Sequence, residues 1–281
     1  MDVMSIEEPS PDRGAGRLRG GAHVDPEAAA IGCRNVTKTF GSITAVDDVE
    51  LGIAQGEWVS IVGPNGAGKT TLLNILNGFY SPDSGGEVFL DGESVAGKPE
   101  HYRARKGLGR TFQGLELFEN EDVLENVMTV RAVAENPNLL SALLFYGGGR
   151  KVEAKNMRRV EEIIDYLELW EYRHSTVSAL PLGIQRRVDL ARSLALEPDV
   201  LLLDEAMSGL TFDEKYDMIR FLTDLNEEED LTLVMIEHDL EVVTSVSERM
   251  IVMEKGGVIA RGPPQEVTDD PEVARVYTGV D

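Results

Sequence analysis

A single cysteine, Cys33, stands among 281 residues, so no internal disulfide can form. That absence excludes the small disulfide-stapled scaffolds of oxidising compartments and suits a reducing one. No run approaches the roughly 18–20 apolar residues of a membrane-crossing helix. The first residues, MDVMSIEEPSPDRGAGRLRG, lack the apolar core of a secretory signal. Basic residues are scarce as well. Against 50 Asp and Glu stand 27 Lys and Arg, a formal net charge of −23, and only eight of those bases are lysine. So negative a chain argues against general duplex binding, which rests on many cation–phosphate contacts, and no nucleic-acid partner is expected. Acid excess with little lysine suits a salt-loaded cytoplasm, where ions screen the self-repulsion that a high net charge brings. An ordinary acidic cytosolic protein is the plainer alternative. What is present, 42% hydrophobic and 27% charged residues, is the balance of a globular chain with one or two domains and a large core.

Residues 1–29, rich in Gly, Pro, Ala and charge without periodicity, read as a disordered tail. Residues 33–40 and 45–53 read as two strands around a turn at Gly41 and Ser42. Residues 57–62, EWVSIV, form a buried strand by length and composition. They run into GPNGAGKT at 63–70 and then TLLNILNGFY, where Leu72, Leu73, Leu76 and Phe79 suit one helix face. Residues 87–90 are a strand before the Asp91-Gly92 turn. From 123 to about 180 helical spacing takes over, as in Val160, Ile163, Ile164 and Leu167, and predicts a helical insertion. A helix over 188–196 precedes a short, wholly apolar strand over 200–203, the kind found inside a parallel sheet. Helices over 216–225 and 239–246 alternate with strands over 231–236, 250–253 and 258–260. The alternation predicts an α/β core with a parallel sheet.

The chemistry concentrates in three places. Gly63, Gly68, Lys69 and Thr70 match G-x-x-x-x-G-K-[ST] between a predicted strand and a predicted helix, the setting that motif requires. Glycines let the loop Gly63, Pro64, Asn65, Gly66, Ala67, Gly68 wrap an anion, so that its N–H groups, Pro64 having none, turn inward. The helix that Lys69, Thr70 and Thr71 open adds its positive end. Lys69 suits β- and γ-phosphates, and the Thr70 hydroxyl suits Mg²⁺. A plain Gly-rich turn is the competing reading. The second place is VLLLDE at 200–205, an acidic pair closing a buried strand. Asp204 is suited to hold Mg²⁺ through water, and Glu205 to polarise an attacking water as general base; a solvated acidic pair is the alternative. The third is IEHD at 236–239, where His238 follows another apolar strand. A lone His there is usually a cap or a surface residue. Beside the other two motifs it becomes a candidate donor to the γ-phosphate or to the water.

Taken together these residues resemble the ATP-binding subunits of ABC transporters. The resemblance runs, in order, through Phe40, GPNGAGKT, RTFQ with Gln113, LPLGIQRR at 180–187, LLLDE at 201–205 and His238. It implies a P-loop NTPase (ABC ATPase) fold over 30–281, with a parallel core sheet, an antiparallel β subdomain and a helical subdomain inserted at about 116–185. It implies ATP hydrolysis with ATP and Mg²⁺ as ligands. Phe40 is then the aromatic that stacks on adenine, and Thr70, Gln113 and Asp204 the metal set. Glu205, His238 and Gln113 carry catalysis, Gln113 also linking the metal to the transport interface. Gly183 lies where the signature LSGGQ would open a helix facing the nucleotide of a second cassette. Two membrane permeases, a second ATPase subunit and, indirectly, a solute-binding protein are the implied partners, with peripheral attachment to the cytoplasmic face of the cell membrane. TFQGLELFENEDVLENV at 111–127, the insertion over about 136–159, IEHD and DDPEVARVYTGVD at 269–281 are similar to the branched-chain amino acid importer branch. Importers of urea and other amides share much of this. A soluble ABC protein doing mechanical or assembly work, and a P-loop kinase, are the other classes. The kinase leaves Gln113, LPLGIQRR and His238 unexplained.

The signature departs from the usual pattern at Pro181, Leu182 and Ile184, Ala206 replaces the common Pro after Glu205, and Thr211 replaces the usual Asp or Asn. These departures predict a heterodimer with unequal ATP sites. Two basic clusters stand out in the acidic chain: Arg103, Arg105, Lys106 and Arg110, then Arg150, Lys151, Lys155, Arg158 and Arg159. They are expected either to face anionic headgroups or acidic permease loops or to be solvated helix faces. LLSALLF at 139–145 reads as core or as permease contact, and Phe112, Leu115, Leu117 and Phe118 as further contact candidates.

Overall fold

The computed structural model describes residues 24–83, 85–111, 114–135 and 149–278. They fall into two compact units. One gathers the described parts of 17–113, 198–208 and 219–281, the other those of 114–197 and 209–218.

The first unit holds two sheets. Strands β1 (Ile31–Phe40), β2 (Ile43–Ile53), β4 (Glu87–Leu90) and β5 (Glu93–Ser94) form an antiparallel sheet in the order β2-β1-β4-β5. Strands β3 (Trp58–Val62), β6 (Leu108–Arg110), β7 (Val200–Asp204), β8 (Thr232–Ile236), β9 (Arg249–Glu254) and β10 (Gly257–Gly262) form the second, in the order β10-β9-β3-β8-β7-β6. Its strands run parallel except β10, which returns antiparallel on β9. WVSIV, VLLLD and TLVMI are buried at every position, as strands covered on both faces must be. Helix α1 (Lys69–Asn77) buries Leu72, Leu73, Ile75 and Leu76 fully, each contributing about 1.5–3 kcal/mol. Those side chains join Val36, Val46 and Leu51 of the antiparallel sheet and Ile61, Leu202 and Ile251 of the parallel one in a single apolar core. Parallel register brings strand ends to one edge: Ile61 pairs with Ile236, and Ile236 with Asp204. Gly63, Glu205 and Glu237 therefore leave the sheet side by side, beyond the carboxyl ends where open α/β sheets bind ligands. Helices α2 (Glu100–Ala104), α7 (Leu240–Val246), α8 (Pro264–Thr268) and α9 (Pro271–Thr278) complete this unit, with most of α6 (Phe212–Glu228).

The second unit is helical. Helices α3 (Val123–Glu135), α4 (Gly149–Tyr166) and α5 (Leu182–Leu194) pack around Val123, Val127, Val160, Ile163, Ile164, Leu167 and Val188, all fully buried. The apolar spacing Val160, Ile163, Ile164, Leu167 is thus the inward stripe of α4 and its C-terminal turn. The unit runs past the expected end at 185, because α5 packs on α3 and α4.

Several expectations need correction. Of the predicted tail, residues 1–23 lie outside the described residues, but 24–29 are packed. Asp25 caps a 3-10 turn over Pro26–Ala28, and Val24 and Ala29 are buried. Their backbone lies so close to β1 and β2 that a Cβ at Gly32 or Gly52 would collide with Pro26 or Val24. Irregular chain of this kind has no periodicity to read. Helix α2 and strand β6 escape sequence patterns because each is too short to repeat. The first basic cluster does not lie on one surface: Arg105 and Lys106 are exposed, and the other two are not. Arg103 is 1% exposed and closes the C-terminal end of α1, donating to the carbonyls of Ile75 (2.7 Å), Leu76 (2.6 Å), Val95 (2.9 Å) and Lys98 (3.1 Å). Burial pushes its guanidinium down to about 10. Arg110 is also buried, and Lys106 pairs with Glu93 at 2.6 Å. In the second cluster Arg159 pairs with Glu162 and Glu197. The side chains of Arg150 and Lys151, and all of LLSALLF, lie outside the described residues.

Candidate functional site

The loop after β3 is built for close approach of backbone. Gly63 and Gly68 sit at φ 145° and 102°, and a Cβ on either would strike a carbonyl oxygen, of Met253 and Ala45 respectively. Gly66, at φ 82°, has open space around it and is needed for its dihedral alone. Asn65 and Gly66 form the exposed tip, and the Ala67 amide donates back to Pro64 at 3.2 Å. Lys69 curls over this loop, its ammonium donating to the carbonyls of Gly63 (2.8 Å) and Pro64 (3.1 Å). Burial lowers the Lys69 pKa, while Glu205 and then Asp204 oppose that shift by their charge. Helix α1 opens on Gly68 with no side-chain cap and no acid in its first turn, which includes Thr70 and Thr71. No acid of the helix's own first turn offsets the positive end of its dipole.

The acids lie near enough for their charge to act on Lys69. Asp204, 1% exposed at the end of β7, accepts through Oδ2 from Arg110 Nη2 at 2.9 Å. Its Oδ1 is buried, with no hydrogen-bond partner among the described residues. Burial raises the Asp204 pKa, and the Arg110 charge and hydrogen bond counter it. An orphaned carboxylate oxygen of this kind suits a metal-bound water. Among the described residues no three His, Cys, Asp or Glu side chains cluster as a metal cage. That donor set fits Mg²⁺, which takes one or two carboxylates together with substrate phosphates and waters. Glu205 follows with φ 51°, a strained value for a non-glycine residue. Its amide donates to Ile236 O at 3.1 Å, and its Oε1 accepts from His238 Nε2–H at 2.7 Å. His238 thus meets the candidate base directly.

Glu237 is a residue that sequence patterns do not reveal. It is 5% exposed, and its two oxygens accept from the amides of Met207 (3.2 Å) and His238 (3.1 Å). One buried carboxylate therefore pins both the loop carrying Glu205 and the loop carrying His238. The only signal in the sequence is an acid between an apolar strand and a histidine.

Phe40 ends β1, 41% exposed, with its ring edge-on to Tyr80 at 5.1 Å; Tyr80 in turn meets Phe79 at 4.9 Å. Gln113 and Phe112 lie outside the described residues. Gly183 belongs to the helical unit, in the first turn of α5. A Cβ there would strike Glu214 Oε1. Glu214 is held by Thr211, whose amide and hydroxyl each donate to Oε2 at 2.8 Å, while the Glu214 amide points back at Thr211 Oγ1 at 3.4 Å. This is a capping box on α6, and it gives Thr211 a structural job in place of the usual Asp or Asn. The hydrogen bonds from Thr211 hold the Glu214 pKa below its usual value.

Residues 46–208 match the family model described as ABC transporter. The high-affinity branched-chain amino acid transport ATP-binding protein BraF of Pseudomonas aeruginosa is 37% identical over 244 residues, covering 87% of this chain and 95% of that protein. LivG of Escherichia coli K12, with the same description, is 35% identical over 240 residues, 85% of this chain and 94% of its own. Among solved structures, the ADP conformation of MJ1267, an ATP-binding cassette of an ABC transporter, superposes with a TM-score of 0.78 at 26% identity, over 89% of this chain and 99% of that one. The dimeric bacterial cassette MJ0796 gives 0.70 at 30% identity, over 82% and 97%.

Proposed function

The chain belongs to the ABC transporter family of ATP-binding proteins, and on that premise we propose that it hydrolyses Mg²⁺-bound ATP to power import of branched-chain amino acids or related small solutes. The observation that carries the chemistry is the nearness of Lys69, at the uncapped start of α1, to Asp204 and Glu205, whose charges act on it. Asp204 keeps an oxygen without a partner among the described residues, and Glu205 pairs with His238.

The backbone amides of residues 65–70 and the Lys69 ammonium hold the phosphates, trading the Gly63 and Pro64 carbonyls for phosphate oxygens. Phe40 stacks on the base. The Asp204 carboxylate, through water, the Thr70 hydroxyl and Gln113 would hold Mg²⁺, which would neutralise charge on the transferred phosphoryl group. Glu205 aligns a water in line with the γ-phosphorus and takes its proton as the new O–P bond forms and the bond to the β-phosphate oxygen breaks. His238, donating through Nε2–H, keeps the Glu205 carboxylate facing that water, and Glu237 fixes the loops that carry both.

A second cassette completes each site by bringing its signature helix to the nucleotide. Pro181, Leu182 and Ile184 make this chain's own signature half irregular, which favours a heterodimer with unequal sites. No helix among the described residues is long and apolar enough to cross a membrane. Attachment to two permease subunits at the cytoplasmic face, with a solute-binding protein beyond them, supplies the membrane part. The test is co-expression with candidate permeases and a second cassette, followed by ATP-dependent uptake of labelled leucine into inverted or reconstituted vesicles. Uptake that depends on Glu205 supports the reading; an assembled complex that hydrolyses ATP without moving any branched-chain amino acid or amide overturns the transport assignment.

A further inference from the structure

Arg110 stands out as a buried cation that the roles above do not use. It ends β6, with its side chain 6% exposed. One arm of the guanidinium, Nη2, donates to Asp204 Oδ2 at 2.9 Å, and the other, Nη1, donates to Asn74 Oδ1 at 2.6 Å. Asn74 lies on α1 one turn beyond Thr70, on the same helix face. Three elements thus meet in one planar group: the strand that leads to Gln113, the strand that ends in Asp204, and the helix that begins with Lys69 and Thr70.

A structural ion pair alone would be an economical reading, and buried pairs are weak evidence for stability. The geometry departs from that reading in one respect. The pair is left half open: Arg110 satisfies one oxygen of Asp204, and the other, although buried, has no partner among the described residues. A carboxylate held by one oxygen, through a guanidinium that is itself anchored at its second arm, is restrained from turning. That restraint narrows the directions its remaining oxygen can take. Groups that orient a metal ligand in this way typically change metal affinity 10–100-fold when removed.

We propose that Arg110 is a positioning residue for the metal half of the site. It locks the Asp204 carboxylate, through Asn74, so that Oδ1 is presented to Mg²⁺ in register with Thr70. The proposal rests on the Mg²⁺–ATP reading and deepens it. It also relocates a basic residue that sequence alone assigned to a surface.

The experiment measures metal affinity and nucleotide affinity separately on the full chain, in the Glu205→Gln background so that no ATP is consumed. Free Mn²⁺ is counted by electron paramagnetic resonance during titration in the presence of ATP. Binding of a fluorescent ATP analogue in EDTA reports the cradle alone. Arg110→Met is expected to weaken Mn²⁺ binding about tenfold or more, with metal-free nucleotide affinity changed less than about twofold. Arg110→Lys keeps the charge but cannot span both acceptors, and an intermediate loss is expected. Asn74→Leu leaves both charges in place and removes only the anchor. It too is expected to weaken Mn²⁺ binding, by a smaller factor, and it carries the test if Arg110→Met fails to fold. Unchanged Mn²⁺ affinity in Asn74→Leu and in every folded Arg110 variant, or equal losses with and without metal, overturns the proposal. Failure of the Glu205→Gln parent to bind nucleotide at all overturns the functional reading instead.

Discussion

Replacing Glu237 by Gln tests how the two reactive loops are held. The wild-type carboxylate accepts from Met207 N at 3.2 Å and from His238 N at 3.1 Å in a site 5% exposed. A carboxamide keeps one acceptor and turns a donor toward the other N–H. One charge-assisted hydrogen bond is lost, about 1.5–3 kcal/mol, and a buried amide is left facing another donor. The expected cost is roughly 3 kcal/mol, which in a chain of this size lowers the melting temperature by roughly 6–12 °C. Glu205 lies two residues before Met207, and His238 follows directly, so the loss falls on the reacting end. The cradle, built on β3 and α1, is untouched. Displacements near 1 Å cost on the order of a hundredfold in rate. Phosphate release at saturating ATP, measured with the companion subunits, is therefore expected to fall about 10–100-fold while nucleotide affinity holds within about twofold. An unchanged turnover, or a loss of affinity equal to the loss of turnover, refutes the idea that Glu237 sets these loops.

Four further outcomes follow from the same structure. Thr211→Ala removes the capping box on α6 and should cost about 1 kcal/mol by thermal or urea unfolding, whereas Thr211→Asp should restore it. Gly183→Ala drives a Cβ into Glu214 and should destabilise; in a double-mutant cycle, Glu214→Ala should recover much of that loss, and strict additivity would count against the contact. Cys33 is buried, and burial pushes its thiol up to about 12, so at pH 8 only about 10⁻⁴ of it is thiolate. Reaction with a thiol reagent should therefore track unfolding, and prompt labelling of native protein would be inconsistent with the packing. A net charge of −23 predicts a fold that gains stability steeply from low to multimolar salt; full stability at low salt removes the salt-adapted reading.

Much of the site is legible in the sequence because it sits where apolar strands stop. WVSIV, VLLLD and TLVMI announce themselves by composition, and the residues that follow each are the glycine loop, the acidic pair and the histidine. The helical insertion is legible from the spacing of Val160, Ile163, Ile164 and Leu167 for the same reason. What stays hidden depends on partners far along the chain. Arg103 and Arg110 look like surface charges because their acceptors, the last carbonyls of α1 and the carboxylate of Asp204, are supplied by the fold. Glu237 is invisible because its bonds run to backbone amides of two loops. Val24 and Ala29 pack as irregular chain, which leaves no period. Thr211 and Glu214 carry the spacing of a capping box, a local signal present in the sequence but masked by comparison with a family motif.

The central claim is that a triphosphate rests on the amides around Lys69 and is cut by a water that Glu205 activates. The most direct measurement is retention of Mg²⁺–ATP and release of phosphate by the assembled complex carrying wild-type chain, Lys69→Ala or Glu205→Gln. Wild-type chain should retain and cleave ATP, Glu205→Gln should retain it uncleaved, and Lys69→Ala should fail to retain it. Wild-type cleavage rates in the Glu205→Gln complex, or unimpaired retention by Lys69→Ala, would contradict the account.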